Sequence, residues 1–580
     1  MIKINNPNQQ ELFDHWSYMS PKRKIILENS WAGLFRNEIL PELPVTKLAP
    51  YFCSNNGRPS KELYTTLGIL ILQQTFDYTN IETTDQLSYN TQWHYALNIT
   101  EESDSAKYYC PKTMWNIHEL VSKNNLADAI FNSITNKLAD RFNVDTGNQR
   151  IDSVHIKSNM KRLGRIRIFS NTTTRFLKNL KRKYKDQYEQ IDNSLIERYL
   201  STDDSSYFSN VKPSESQKTL TLVADDLFNL TQQFKSNEDV KRMNSFKLLQ
   251  RVLTEQCNVS DTDDGQKVDV KKPKDIPSDS LQNPSDPDAS YSGHKGQGFQ
   301  VQIMETFTDT ENSDEKDSIL NLITHVEVET ACKSDAHALK PAVESVKEND
   351  LSPKEIQADT LYGSDDNHEY ALDNGIDLVS PAKPVSSKSK NDISEFIFLD
   401  NGHVDSCPNG CKPQFSNKKK GRFTQGFCIE TCFYCPLSRA CPAKLGKNNF
   451  VLRYDEKTLR LAKRRAYERT KDFKERYRWR AGVEATMSEL KTKTGIKQLR
   501  VRGLKAVRFA VLLKVAGLNI LRAAAVKKAR KAKERDKNSC FFNKRSYFEL
   551  ITIKYKKIRK KILQIYLKKM TNYKFAKFAI

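Results

Sequence analysis

One stretch of the 580-residue chain concentrates residue types that do chemistry: Tyr477-Arg478-Trp479-Arg480-Ala481-Gly482-Val483-Glu484, continuing to Lys491. On a helix turning 100° per residue, Tyr477, Arg480, Glu484 and Lys491 fall within an arc of roughly 60°, on a face about 21 Å long. One carboxylate flanked by two cations and a phenol is poor core material. It suits a surface that holds a metal ion beside a phosphate chain. Taken alone, the same face reads equally as a solvated one carrying i,i+3 and i,i+4 ion pairs. Two further acids weigh against that plainer reading: Asp152 lies in the run RIDSVHIKSN, and Asp359 ends the apolar part of IQADTLYG. A lone Asp in such a place is usually a cap or turn residue. Two of them with a helical Glu can converge on two divalent ions about 4 Å apart, an arrangement that activates water and stabilises the leaving oxygen of a phosphodiester. Oxygen ligands favour Mg2+ or Mn2+.

The chain has eleven cysteines, six of them between Cys407 and Cys441. Such a cluster argues for metal before disulfides. Cys407-x3-Cys411-x20-Cys432-x2-Cys435 comes close to zinc-ribbon spacing, with Cys441 following after five intervening residues, and reads as a structural tetrahedral Zn2+ site. Ordinary buried cysteines in a small α/β excursion are the plainer account. Cys53, Cys110, Cys257, Cys332 and Cys540 are scattered and read as structural. The glycines around His294 and Lys295 shape a turn into the next strand rather than a phosphate loop. His155, three residues along a strand from Asp152, faces the opposite side. Arg500 and Arg502 open the basic C-terminal region and read as contacts to a nucleic-acid backbone.

Residues 1–145 are patterned as helices, with apolar positions three and four apart through Lys61–Thr75 and Leu126–Leu138. Gly57-Arg58-Pro59-Ser60 reads as a turn plus N-cap for a helix Lys61–Gln74. Residues 147–157 (GNQRIDSVHIK) read as a short strand, 160–259 as a charged helical region and 260–290 as a loop or linker. An α/β rhythm follows. Phe299–Thr308, Leu320–Thr330, Glu355–Asp359 and Ile376–Ser380 are expected strands, and Ala336–Lys347 and Asp366–Asp373 expected helices. This alternation argues for a sheet covered by helices. A long helix is expected from about Glu456 to Thr494, stopped by Gly495.

At this length two to four structural units are expected, and 38% hydrophobic with 28% charged residues exclude a wholly disordered chain. The start MIKINNPNQQELFDHW lacks an apolar core behind a basic stretch, and the most apolar run, Phe509 to Val526, is broken by Lys514 and Arg522. Export and membrane roles are therefore not expected. Net charge is +23, but residues 451–580 carry 40 Lys+Arg against 10 Asp+Glu, so the remainder is slightly acidic. A field concentrated in this way draws polyanions, of which nucleic acid is the commonest. Residues 541–580 are basic and aromatic, which suits nonspecific DNA affinity; a read-through or frame-altered end is the blander account.

Tyr477-x2-Arg480-x3-Glu484-x6-Lys491 resembles the Tyr-Arg-Glu-Lys signature of bacterial insertion-sequence DDE transposases, of the type with a cysteine cluster before the last carboxylate. The resemblance extends to Asp152-Ser153 with Lys157-Ser158-Asn159, PSDPDASYSGHKGQGFQVQIMET (284–306), Ala358-Asp359-x2-Tyr362, and LRVRGLKAVRFAVLLKVAGLNILR (499–522). Leu43 to about Thr100 is similar to the helical domain that opens such enzymes, and the likeness spans roughly residues 10–525. It implies a ribonuclease-H-like α/β catalytic domain whose Asp152, Asp359 and Glu484 hold two Mg2+ ions. Water is then activated to cut at terminal inverted repeats, and the freed 3′ hydroxyl attacks target DNA. Tyr477, Arg480 and Lys491 would grip the terminal phosphates, Arg as a bidentate fork and Lys as a point charge.

The implied organisation is a helical DNA-binding domain over 1–145 and the first part of the catalytic domain over 146–392, with a helical insertion at 160–259 and a linker at 260–290. A zinc-ribbon-like cysteine insertion follows at 393–450, then the Glu-bearing remainder at 451–525 and a basic tail at 526–580. The gaps of 207 residues from Asp152 to Asp359 and 125 on to Glu484 have to hold the two insertions. The resemblance picks Cys407, Cys432, Cys435 and Cys441 as zinc ligands, leaving Cys411 and Cys428 as extras. It also implies a homodimer on paired double-stranded DNA ends, in the cytoplasm at the nucleoid. The alternative is a transposase-derived DNA-binding protein without catalysis, against which three intact carboxylates argue. A zinc hydrolase using the cysteines is disfavoured, because catalytic zinc keeps an open position and seldom uses cysteine alone.

Overall fold

The structure, a computed structural model, describes residues 2–9, 14–54, 57–200, 208, 211–262, 265–384 and 392–575, with the side chains of 262, 536–553 and 565–575 outside the description. At its centre lies a six-stranded sheet. Its strands are β1 (Asn148–Lys157), β2 (Ser290–Ser292), β3 (Gly296–Thr306), β4 (Ile323–Thr330), β5 (Glu355–Gln357) and β6 (Asp377–Val379). β1 pairs antiparallel with β3 and parallel with β5, β3 pairs antiparallel with β4 and the short β2, and β5 pairs parallel with β6. The order across the sheet is therefore β4-β3-β1-β5-β6, three antiparallel strands followed by two parallel ones. Successive side chains of β1 point to opposite faces of the sheet, so Arg150, Asp152 and Val154 share one face and Ile151, Ser153 and His155 the other.

The expected strands and helices of this region form, with ends moved by one to three residues. Asp359 lies two residues beyond β5, and the helix expected at Ala336–Lys347 runs over Leu339–Glu348 behind a 3-10 turn, Asp335–His337. The N-terminal helix covers Leu63–Thr75 rather than Lys61–Gln74. Its N-cap is Glu62, whose carboxylate accepts from the amides of Tyr64 (3.1 Å) and Thr65 (2.6 Å), while Ser60 Oγ instead accepts from the amide of Lys3.

Among the described residues, three hydrophobic cores hold the chain. The largest joins the sheet to the helices Leu63–Thr75 and Leu126–Phe142 and to the first part of the last helix, Leu504–Phe575. The stretch Leu504–Arg535 is long and apolar enough to cross a membrane by length and composition, but 83% of its most apolar window is buried inside this core. Lys514, 1% exposed there, is met by Asp77 Oδ1 at 2.7 Å and by the carbonyl of Thr494 at 2.5 Å. A second core packs the helices Arg165–Lys183, Ser216–Phe234 and Asn244–Gln256 around Phe169, Phe176, Leu227 and Phe246. The antiparallel hairpin Cys257–Thr262/Gly265–Val270 closes it, so the start of the expected linker is in fact strand. A third, small core around Phe423, Phe427, Leu452 and Tyr454 belongs to a four-stranded sheet within 415–455.

The helix expected from Glu456 to Thr494 is broken into Glu456–Glu468, Lys471–Tyr477, a 3-10 turn Arg478–Ala481 and Gly482–Lys493. Thr470 makes the first break by capping the second segment, its hydroxyl accepting from Phe473 N at 3.2 Å. Tertiary contacts make the second, as the site shows.

Candidate active site

β1 presents Arg150 and Asp152 on one face about 6.6 Å apart, two residues at 3.3 Å each. The turn Arg478–Ala481 lies along that pair. Arg150 Nη1 donates to the carbonyl of Trp479 at 2.7 Å, and Arg480 Nη2 donates to Asp152 Oδ2 at 2.8 Å. Two adjacent turn residues thus read two alternate strand residues, which holds the segment in its tight 3-10 form. From the next strand, Gln357 Nε2 donates to the carbonyl of Arg476 at 2.8 Å. Arg476 itself reaches Glu355 at 2.6 Å and Asp377 at 2.5 Å, clamping the starts of β5 and β6 to the helix end.

Arg480 also lies 3.9 Å from Glu484. Glu484 sits in the first turn of the helix Gly482–Lys493, whose Val483, Met487 and Leu490 are buried. Its own side chain is 74% exposed. The guanidinium therefore stands between the carboxylates of β1 and of the helix. Asp359 is half-buried beyond β5, with Oδ1 accepting from Leu361 N at 2.8 Å and its carbonyl from Ser380 Oγ at 2.7 Å. Burial pushes the Asp152 carboxyl above the usual carboxylate range. Arg480 pulls it down, while the charges of Asp359 and Asp335 push it up. Burial likewise raises the phenol of Tyr477, which stacks on Phe473 with ring centroids 5.3 Å apart. Lys491 lies exposed in the last turn of the Glu484 helix. The four signature residues thus span a helix end, a 3-10 turn and a new helix, not one unbroken face.

Asp335 was not legible in the sequence as part of this group. It is 6% exposed and accepts from Gln302 Nε2 at 2.8 Å, and Gln302 also accepts from the buried Tyr362 hydroxyl. Its only sequence signal is the N-cap Ser334 before a short turn. Arg500 pairs with Asp77 at 3.1 Å, and Arg502 Nε donates to Asn159 Oδ1 at 3.2 Å.

A set of carboxylate oxygens from three elements, one of them held in its raised-pKa state by burial and like charge, is the donor chemistry that a hard divalent cation satisfies. Among the described residues, the one acidic group with ligand atoms within 4.8 Å of one another is instead Asp365, Asp366 and Glu369. Arg460 takes Asp365 at 2.6 Å and Glu369 at 2.9 Å, and Lys457 lies 3.6 Å from Asp366, so side-chain cations already balance that group. The carboxylates of Asp152, Asp359 and Glu484 are not gathered so closely.

Five of the six clustered thiols line one cavity of about 100 Å3: Cys407, Cys411, Cys432, Cys435 and Cys441. Burial pushes the Cys432 thiol up to about 11, aided by the charges of the other four. Burial also raises Cys441 and Cys411, each again with help from neighbouring thiols. Cys428 stands apart as the N-cap of Ile429–Phe433, its thiol lowered by hydrogen bonds from Thr431 and Glu430. Thiols that raise one another in this way suit a cation that takes them as thiolates.

Gly482 starts the Glu484 helix where the Arg150 guanidinium passes, so a Cβ there would collide with Arg150. Gly482→Ala is expected to cost about 1–3 kcal/mol, the range for forcing extra bulk into a packed site, read as a lower denaturant midpoint. Gly164→Ala, where a Cβ meets nothing within 4 Å, should leave the midpoint in place.

Two family models match the chain, the Transposase DDE domain over residues 406–524 and the Transposase domain (DUF772) over residues 35–120. The first spans the cysteine cluster, Glu484 and the start of the last helix. Asp152 and Asp359 lie outside both. No curated protein and no solved structure matches.

Proposed function

Since the chain belongs among the insertion-sequence DDE transposases, on its matches to both transposase domains, we propose that it cuts phosphodiester bonds at the terminal inverted repeats of its element and joins the 3′ ends to target DNA. The observation that carries this reading is the pairing of Arg480 with Asp152 at 2.8 Å, which docks the Glu484 helix onto the strand that bears the first carboxylate, with Asp359 two residues beyond the end of the neighbouring strand. The strand order β4-β3-β1-β5-β6 supports a ribonuclease-H-like catalytic domain.

In this reading Asp152, Asp359 and Glu484 hold two Mg2+ or Mn2+ ions, which when bound activate water and stabilise the leaving oxygen. Arg480 balances Asp152 and Glu484 until DNA arrives and then turns its fork toward a terminal phosphate. Tyr477 and Lys491 take neighbouring phosphates. Arg500 and Arg502 contact backbone further along, Arg500 on release from Asp77. We assign DNA binding also to the helices within 1–145, the helical insertion to 160–259 with its linker to 290, the cysteine insertion to 393–450 and a basic tail to 526–580. The chain acts in the bacterial cytoplasm, at the nucleoid, as a homodimer on paired ends.

The test is incubation of the full chain with a labelled duplex carrying the element's own end, with Mg2+ or with EDTA. Cleavage at the end in Mg2+ alone supports the reading; binding without cleavage would move the assignment to a DNA-binding descendant.

We assign Cys407, Cys432, Cys435 and Cys441 to a structural Zn2+, with Cys411 the competing ligand from the same cavity. Purified chain is expected to carry about one zinc per chain. Cys432→Ser should lose it and Cys428→Ser should keep it, measured by metal analysis. Equal zinc loss in both variants would overturn the assignment.

A further inference from the structure

The helical insertion carries a surface that the active-site reading does not use. The helix Arg165–Lys183 buries Phe169, Phe176, Leu177 and Leu180 in the insertion's own core. Along its whole length it has seven cations and no carboxylate. Asn171, Thr174, Arg175, Lys178, Asn179 and Arg182 stand at offsets 0, 3, 4, 7, 8 and 11, so they form one stripe opposite the core, within roughly 140° of arc and about 16 Å long. The stripe is one wall of an open groove of about 780 Å3; Arg242 and Arg502 line it from other elements. Among the described residues that line the groove there is no Asp or Glu.

Three of the cations that line the groove bond to uncharged partners. Arg175 donates to the carbonyl of Pro284, Arg182 to Asn179 Oδ1 at 3.3 Å, and Arg502 to Asn159 Oδ1 at 3.2 Å. Like charges brought together in this way repel one another, a cost that an anionic partner removes. The layout also says which anion. A small anion needs donors that converge on a point, whereas these are strung along an open trough. One strand of duplex DNA presents a phosphate every 3.4 Å of axis, so about 16 Å of stripe faces roughly five phosphates.

The groove is also tied to the candidate active site. Arg502 is bonded to Asn159, two residues beyond the end of β1, and about 17 Å of strand separates Asp152 from Lys157 at the usual rise. A duplex laid along β1 from Asp152 therefore reaches this end of the strand roughly five base pairs on.

We propose that this groove on the helical insertion is a docking surface for the phosphate backbone of double-stranded DNA. It holds the duplex on the side of the active site beyond β1. Side chains that meet phosphates carry no sequence information, so the contact is indifferent to sequence and serves to fix register. The proposal rests on the reading of the chain as a transposase, because that reading supplies DNA as the polyanion.

The test uses the full chain and a random-sequence 40-bp DNA duplex, with the dissociation constant measured across 50–200 mM salt. The variant is Arg175→Ala/Lys178→Ala/Arg182→Ala, three exposed positions whose loss leaves the insertion core intact. Each lost phosphate contact lowers the salt slope by about 0.9, so the triple variant should lose between two and three units of slope and bind at least tenfold more weakly at the lowest salt. Arg175→Lys/Arg182→Lys, which keeps the charge, should retain the wild-type slope. An unchanged slope in the triple variant, while wild type binds duplex and cuts transposon ends, overturns the groove and leaves the function standing. A wild-type chain that neither binds nor cuts overturns the function and with it the proposal. Loss of binding to single-stranded RNA with duplex binding untouched would also overturn it.

Discussion

An Asp152→Asn chain is expected to cut transposon-end DNA about a thousandfold more slowly than wild type, while binding the same duplex with similar affinity. The substitution keeps the shape and one acceptor but removes the negative charge that the site offers a divalent cation. Metal assistance contributes several kcal/mol to such reactions, and about 4 kcal/mol corresponds to three powers of ten in rate. The variant should also be no less stable than wild type in EDTA near neutral pH. Burial raises the Asp152 carboxyl above its ordinary value, so the folded pKa exceeds the unfolded one. That shift contributes stability below the unfolded value and loses it as pH rises through the folded one. Above both, the ionised group is a cost to the fold that Asn does not carry, and Arg480 keeps Glu484 within 3.9 Å. Cleavage by Asp152→Asn at the wild-type rate, with a matching melt, would sink the assignment of Asp152.

Glu305→Ala should lower the stability of the central unit by about 3–5 kcal/mol, the usual cost of removing one partner from a buried ion pair. Glu305 is 0% exposed on β3, directly across the ladder from Arg150. Its carboxylate takes Arg150 at 2.7 Å, Arg522 at 3.1 Å and the Thr486 hydroxyl at 2.6 Å. Arg522 continues to Glu489 at 2.7 Å. One buried carboxylate thus joins β1, β3, the Glu484 helix and the last helix, and its removal leaves two guanidiniums in the core short of a countercharge. Arg150 is also the group that fixes the turn at Trp479, so end cleavage should fall together with stability. Glu305→Gln, which keeps the acceptor oxygen, should cost less than Ala. The check is the denaturant midpoint of both variants; a midpoint that stays put in Glu305→Ala would mean the network contributes nothing to the fold.

The strands and most helices were legible because their signals are local. RIDSVHIK sets Ile151, Val154 and Ile156 among polar residues in a short strand-like run, and Leu126–Phe142 repeats at three and four, so each element's type is written in its own neighbours. The break between Tyr477 and Gly482 was not legible, since every residue there is compatible with a helix. The carbonyl of Trp479 and the side chain of Arg480 become turn-formers only because Arg150 and Asp152, some 330 positions earlier, lie beneath them. Asp335 and Glu305 were missed for the same reason: each is one of 71 acids until a strand from elsewhere supplies Gln302 or Arg150.

Residue type and spacing alone therefore determined the chemical inventory of this protein. They supplied Asp152, Asp359 and Glu484 as candidate metal ligands, a Tyr-Arg-Glu-Lys run, a clustered set of thiols and a surplus of positive charge near the end. Only the tertiary structure decided which of these meet. It put Arg480 between Asp152 and Glu484, drew five thiols to one cavity and left Cys428 outside, and turned a charged helix of the insertion into one wall of a cationic groove. The reason is physical. Periodicity depends on neighbours three or four residues away, whereas an ion pair between residues 152 and 480 forms only when burial of separate apolar faces has already brought their backbones together.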